Sequence, residues 1–179
     1  MVNTKVVTGK VRLSFCNLFE PKAFQEGMTP KYSVTVLIPK TDVSTVKKIK
    51  DAIQAAAEKG KSTKFGGKIP PVLKTTLKDA DVDTNNDGEV LATIYPEAAH
   101  HYMINVSSVT KPQVVDANLN PVLDPTMVYS GCYGRVSMNF YAYAASGNKG
   151  ISAGLGNVQF LEDGDPLGAA SSAEHDFAE

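Results

Sequence analysis

Residues 134–144 read Gly-Arg-Val-Ser-Met-Asn-Phe-Tyr-Ala-Tyr-Ala, an alternation that a β-strand sorts cleanly because successive side chains point to opposite faces. Val136, Met138, Phe140, Ala142 and Ala144 fall on one face and form a core stripe. Arg135, Ser137, Asn139, Tyr141 and Tyr143 fall on the other, and Tyr133 joins them if the strand starts two residues earlier. Tyrosines on a strand either pack beneath a helix or long loop or stand free. Free rings beside a guanidinium suit stacking against flat, charged-backbone ligands.

The rest of the chain repeats the β signal. Lys5 to Phe19 alternates, with Val7, Gly9, Val11, Leu13 and Phe15 on the core side and Thr8, Lys10, Arg12 and Ser14 outside. Gly9 marks a bulge or bend of the kind a small barrel needs. Lys31 to Lys40 is a second strand with Tyr32, Val34, Val36 and Ile38 inward. Val90–Tyr95, Tyr102–Ser108, Gln113–Val115 and Ile151–Leu161 complete the set, separated by proline and glycine turns. Only one helix stands out, capped by Thr41 or Asp42, with Val43, Val46, Ile49, Ile53 and Ala56 at helical spacing and an end at Lys59-Gly60. Short strands plus one principal helix and extended loops predict a mainly β fold built on a small barrel.

At 179 residues the chain is long enough for one domain with a real core. No apolar run approaches the roughly 18 residues of a membrane span, and the N-terminus lacks a secretory h-region. Cys16 and Cys132 read as reduced, intracellular thiols. The expected setting is therefore cytoplasmic, with no membrane partner.

The net charge of −1 conceals an asymmetry: residues 1–78 carry a balance of +10, and residues 79–179 one of −11. Opposed halves either mix into an even surface on folding or present a basic surface to a polyanion. Within the basic half, Gly60 to Lys78 forms a long loop in which Phe65 is flanked by Lys64 and Gly66-Gly67, with Lys68 beyond. An exposed aromatic among lysines fits a loop that clamps a nucleic-acid strand, and a merely solvated loop is the alternative. Asp83-x-Asn85-x-Asp87-Gly88 opens like a calcium loop, but position twelve is Ile94 rather than a bidentate Glu, so it reads as an acidic turn. Adjacent His100 and His101 would point to opposite faces of a strand, which speaks against a shared metal. No metal or cofactor is called for. No nucleophile elbow or phosphate-binding glycine loop is present either, so a non-enzymatic role is expected.

Residues 162–179 differ in kind, with six acids, no Lys or Arg, and small residues between. This reads as an acidic tail, disordered in its last part, following a body of residues 1–161. Phe177, set among Glu174, Asp176 and Glu179, has the look of a short docking peptide.

Taken together, the chain resembles the small single-stranded DNA-binding proteins of tailed bacteriophages. The resemblance lies in Gly9-Lys-Val-Arg-Leu-Ser-Phe15, in Tyr32–Lys40 with the helix after it, in Tyr129-Ser-Gly-Cys-Tyr-Gly-Arg135, in Tyr141-Ala-Tyr143 and in Lys149-Gly-Ile-Ser-Ala-Gly-Leu155. It covers roughly residues 5–168. It implies an OB-fold, a five-stranded Greek-key β-barrel, binding unwound strands through Lys10, Arg12, Tyr133, Arg135, Tyr141, Tyr143 and Lys149. It also implies an acidic tail that docks on phage or host replication and recombination proteins and covers the DNA groove when DNA is absent. Such tails commonly finish on the aromatic, whereas Ala178 and Glu179 follow Phe177 here. Oligomerisation along DNA is left open. The alternative is a phage structural or assembly barrel that buries its tyrosines in subunit contacts.

Overall fold

Nine strands and two short-to-medium helices build the chain in a computed structural model that describes residues 3–23, 25–71, 73–145 and 147–167. The strands are β1 (Lys5–Val7), β2 (Val11–Lys22), β3 (Lys31–Pro39), β4 (Lys74–Thr75), β5 (Lys78–Asp79), β6 (His101–Ser108), β7 (Val114–Val115), β8 (Tyr133–Ala145) and β9 (Asn148–Glu162). Helix α1 spans Val43–Gly60 and α2 spans Leu91–Ile94. Strands β2, β3, β6, β9 and β8 pair in that order, and β8 returns to β2, so five strands close a ring. All neighbours are antiparallel except β6 and β9, which meet in parallel at Ser107 and Gly154. This is the five-stranded OB barrel.

Closure is driven by one core. Val11, Leu13, Val34, Val36, Ile38, Ile104, Val106, Val136, Met138, Phe140, Ile151 and Val158 are almost wholly withdrawn from water, as the alternation requires. Helix α1 seats Ile49, Ala52 and Ala56 on this core. Asp42 caps it by accepting from the Thr45 amide at 3.2 Å. At its other end Gly60 lies so close to Ala142 that any side chain there would collide with β8.

The first strand departs from simple alternation twice. Val6 and Thr8 point inward while Val7 is 40% exposed; after Gly9 the inward set becomes Val11 and Leu13. The chain breaks at Gly9 because its amide is bonded to Thr45 Oγ1 of α1 instead of to a strand. The second break is Phe15, which adopts a left-handed φ of 49° and is 51% exposed rather than buried. The β2–β3 register shifts there, between Ser14 and Asn17, and Ser14 turns inward.

Other expectations are corrected as well. Val90–Tyr95 is not a strand: its centre is α2, followed by a short 3₁₀ turn at Pro96–Ala98. Val43 is 71% exposed, because α1 presses its alanine face, not its first valine, onto the barrel. Ala144 lies exposed beyond the end of the β8 core stripe. The segment 79–100 packs on the outside of the barrel, where Leu37 of β3 is buried with Ala80 and Ala98 and flanked by Leu91, Tyr95 and Met103. Lys40 ties the segment down by pairing with Asp79 at 2.6 Å and Asp81 at 2.8 Å, and Asp81 also accepts from the His100 amide at 3.0 Å. Both thiols are free. Burial, and then the neighbouring Cys132, pushes the Cys16 thiol up to about 12.

Candidate nucleic-acid interface

The docked segment turns the outer face of β3 and β6 into a groove of about 580 Å³. Its floor is Ser33 and Thr35 from β3 and Met103, Asn105 and Ser107 from β6, joined by Asn17 from β2. Thr84, Leu91 and Tyr95 line it from the docked segment, and Thr76, Lys78 and Lys22 complete the lining. The exposed Phe15 ring stands in this groove, edge-to-face with Tyr95 at 5.7 Å between centroids and 85° between planes. On the floor, Thr35 Oγ1 donates to Asn105 Oδ1 at 2.6 Å, and Asn17 Nδ2 donates to Ser33 Oγ at 3.3 Å. These bonds fix both amides and leave Asn17 Oδ1 and Asn105 Nδ2 without a hydrogen bond among the described residues. Rings for stacking, amides and hydroxyls for base edges, and lysines for phosphates are the components of a single-strand site. In OB-folds the face of the second and third barrel strands, here β3 and β6, is where oligonucleotides bind.

The residues singled out from sequence divide into separate groups. Lys10, Arg12 and Tyr133 do meet: the ammonium of Lys10 and the guanidinium of Arg12 lie 5.0 and 5.6 Å from the Tyr133 ring centre. That cluster is engaged by the chain's own C-terminal segment. Glu162 pairs with Lys10, Arg12 donates to the Asp165 carbonyl at 2.8 Å and to Gly131 O at 3.2 Å, and Gly164 lies against the Tyr133 ring. Tyr129 adds bonds to Asp163 and to the Gly164 carbonyl at 3.0 and 2.9 Å. The Leu167 amide reaches Ser130 O, so residues 163–167, assigned to the tail by composition, are stitched to the barrel. Glycine is required at 131, where φ is +116° and a side chain would strike the Asp165 carbonyl.

Arg135 remains exposed but donates to Thr8 O at 2.9 Å. Tyr141, 47% exposed, shares a second, smaller pocket of about 280 Å³ with Lys59, Lys64 and Asn139. Tyr143 is half-buried against Gly150, near Lys74, and Lys149 is exposed at the same hairpin end. Lys68 is exposed. Phe65 is corrected: it is 3% exposed, folded back beside Gly60 as part of the core, so it offers no ring to a ligand. Glu174, Asp176, Phe177 and Glu179 lie outside the described residues.

Sequence reasoning missed the groove itself. Strict alternation puts Phe15 in the core, because the bulge that flips it is invisible to that pattern. A signal was available in Ser33, Thr35, Asn105 and Ser107, a small-polar outer face on two adjacent strands. Among the described residues no helix is long and apolar enough to cross a membrane, and no cluster of three metal-ligating side chains occurs.

Comparison with known proteins agrees with this architecture. Residues 4–179 match the family model described as Enterobacter phage Enc34, ssDNA-binding protein. The chain is 32% identical over 177 residues to protein p50 of Acyrthosiphon pisum secondary endosymbiont phage 1, covering 96% of this chain and 92% of the relative. It superimposes on the single-stranded DNA-binding protein of bacteriophage Enc34 in complex with ssDNA with a TM-score of 0.75 and 27% identity, covering 92% of this chain and 90% of that one. Gp2.5 of bacteriophage T7, a single-stranded DNA-binding protein, shares the fold at a TM-score of 0.57 and 15% identity, over 98% and 94% of the two chains. The chain belongs to the family of the Enterobacter phage Enc34 single-stranded DNA-binding protein.

Proposed function

We propose that this protein binds single-stranded DNA without sequence preference, holding the strand in the β3–β6 groove and coating unwound phage DNA in the cytoplasm of the infected host. The observation that carries the reading is Phe15, an aromatic ring held out of the core at a left-handed φ and standing in a groove of amides, hydroxyls and lysines. An exposed ring in strained backbone is costly to keep without a use. Lys10, Arg12 and Tyr133 form a second cationic-aromatic face, to which the root of the C-terminal segment is bonded, and Arg135 adds an exposed cation on the same strand as Tyr133. The acidic residues beyond that root serve as a tethered competitor for the cationic surface and as a docking peptide, through Glu174, Asp176, Phe177 and Glu179, for replication or recombination partners. No catalytic step is part of this function.

The test is a fluorescence-anisotropy titration of labelled oligo-dT and a matching duplex over a salt series. The reading expects tight binding of the single strand, weak binding of the duplex and an affinity that falls steeply with salt. Equal affinity for both, or no binding at low salt by a chain truncated after Leu167, would remove it in favour of a structural barrel.

A further inference from the structure

Gly154 lies in β9 next to the register shift between Leu155 and Val158, opposite Asn139 of β8 and paired with Ser107 of β6. A glycine inside a strand marks a bend, a close backbone approach or a ligand passing over bare chain. Its φ is not left-handed, and a Cβ built on it would have only ordinary neighbours: Tyr141 Cε1 and Asn139 O at 3.8 Å and Ser107 O at 4.0 Å. Whatever bend it serves, the glycine leaves bare backbone between Ser107 and Tyr141, over which a ligand can pass.

The two ends of that passage are already built. Ser107 lines the β3–β6 groove. Tyr141, on the other side of Gly154, lines the pocket that also holds Thr4, Lys59, Thr63, Lys64 and Asn139. Neither Lys59 nor Lys64 has an ion-pair partner among the described residues. The pocket lies at the carbonyl end of α1, which by itself disfavours anions. That polarity is blunted because Gly60 O accepts from the amides of Thr63, Lys64 and Phe65, and the two lysines reverse its sign.

We propose that the bound strand leaves the groove over Gly154 and places its next nucleotide in this pocket, the base on Tyr141 and the phosphate on Lys59 and Lys64. This rests on the single-strand reading above and extends it by a defined subsite and a path.

The experiment is a ladder of oligo-dT from about 4 to about 16 nucleotides, titrated against the full chain, Gly154→Leu, Tyr141→Ala, the Gly154→Leu/Tyr141→Ala combination and the paired Lys59→Glu/Lys64→Glu variant. The wild type gains affinity with length. Gly154→Leu and Tyr141→Ala each lose roughly tenfold on the longest oligonucleotides while the shortest still bind as in the wild type. The combined variant is no weaker than either single one, and the lysine pair flattens the salt slope for long oligonucleotides only. Retained short-oligonucleotide affinity also reports that Gly154→Leu is folded. Wild-type length dependence in Gly154→Leu, or in the lysine pair should Gly154→Leu not fold, overturns the path. A wild type that binds no oligonucleotide overturns the functional reading itself.

Discussion

Arg12 Nη2 donates to the backbone carbonyl of Asp165 at 2.8 Å, which ties a cation of β2 to the acidic C-terminal segment. Residues 163–167 are thus a strap, to be told apart from the acids beyond Leu167. Two truncations separate them. Ending the chain after Leu167 removes Glu174, Asp176 and Glu179 and keeps every strap bond; the expected result is several-fold tighter single-strand binding at low salt with an unchanged melting temperature. Ending it after Leu161 also strips the bonds to Arg12, Tyr129 and Ser130. At about 1 kcal/mol per hydrogen bond, that variant should melt clearly lower. Calorimetry and anisotropy on the pair check both halves.

Phe15 offers a substitution pair with opposite readouts. Phe15→Ala removes one stacking ring and should weaken single-strand binding by about 1–3 kcal/mol. Phe15→Gly should cost the same affinity. The glycine variant should be the more stable of the two, by about 1 kcal/mol, because only glycine is at ease at a φ of 49°. Denaturant melts of both variants beside the wild type decide it.

Phe65 gives the converse case. Its buried ring braces the C-terminal end of α1, so Phe65→Ala should cost about 3–5 kcal/mol of stability. Affinity per folded molecule should stay as in the wild type. A selective loss of DNA binding at full stability would return Phe65 to the interface.

Asp81 sets an acid limit on the groove wall. The Lys40 ammonium, and after it the His100 amide, hold its carboxyl below the ordinary value of 3.8, and the same pairing raises Lys40. A lowered carboxyl stabilises the folded state above that ordinary value and loses its contribution as the pH falls through the depressed one. The segment 79–100 should therefore loosen only below about pH 4, seen as amide exchange at Ala80, Ala92 and His100. Asp81→Asn should show the loosened exchange at neutral pH and little further change on acidification.

The barrel was legible because its strands alternate without ambiguity. Val136, Met138 and Phe140 lie where period two puts them, and Asp42 caps α1 as its side chain allows. Strict alternation failed at Gly9, which its glycine marked as a bend although the bond to Thr45 was not legible, and at Phe15, where a bulge with no local mark reset the parity. Val90–Tyr95 looked like a strand because its apolar residues are adjacent. They coil because Leu37 and Met103, far away in sequence, supply the surface on which they pack. The cationic-aromatic cluster of Lys10, Arg12 and Tyr133 was readable from residue types. That its partner would be the strap depended on tertiary docking alone, whereas the groove left a trace in the small polar outer residues Ser33, Thr35, Asn105 and Ser107.

The claim that the strand lies on the β3–β6 face is tested most directly by backbone amide chemical-shift mapping during titration with oligo-dT. The account predicts that the largest shifts fall on Phe15, Asn17, Ser33, Thr35, Met103, Asn105 and Ser107, with Gly154 and Tyr141 following as the oligonucleotide lengthens. Shifts confined to Lys10, Arg12 and Tyr133, with the groove silent, would contradict it.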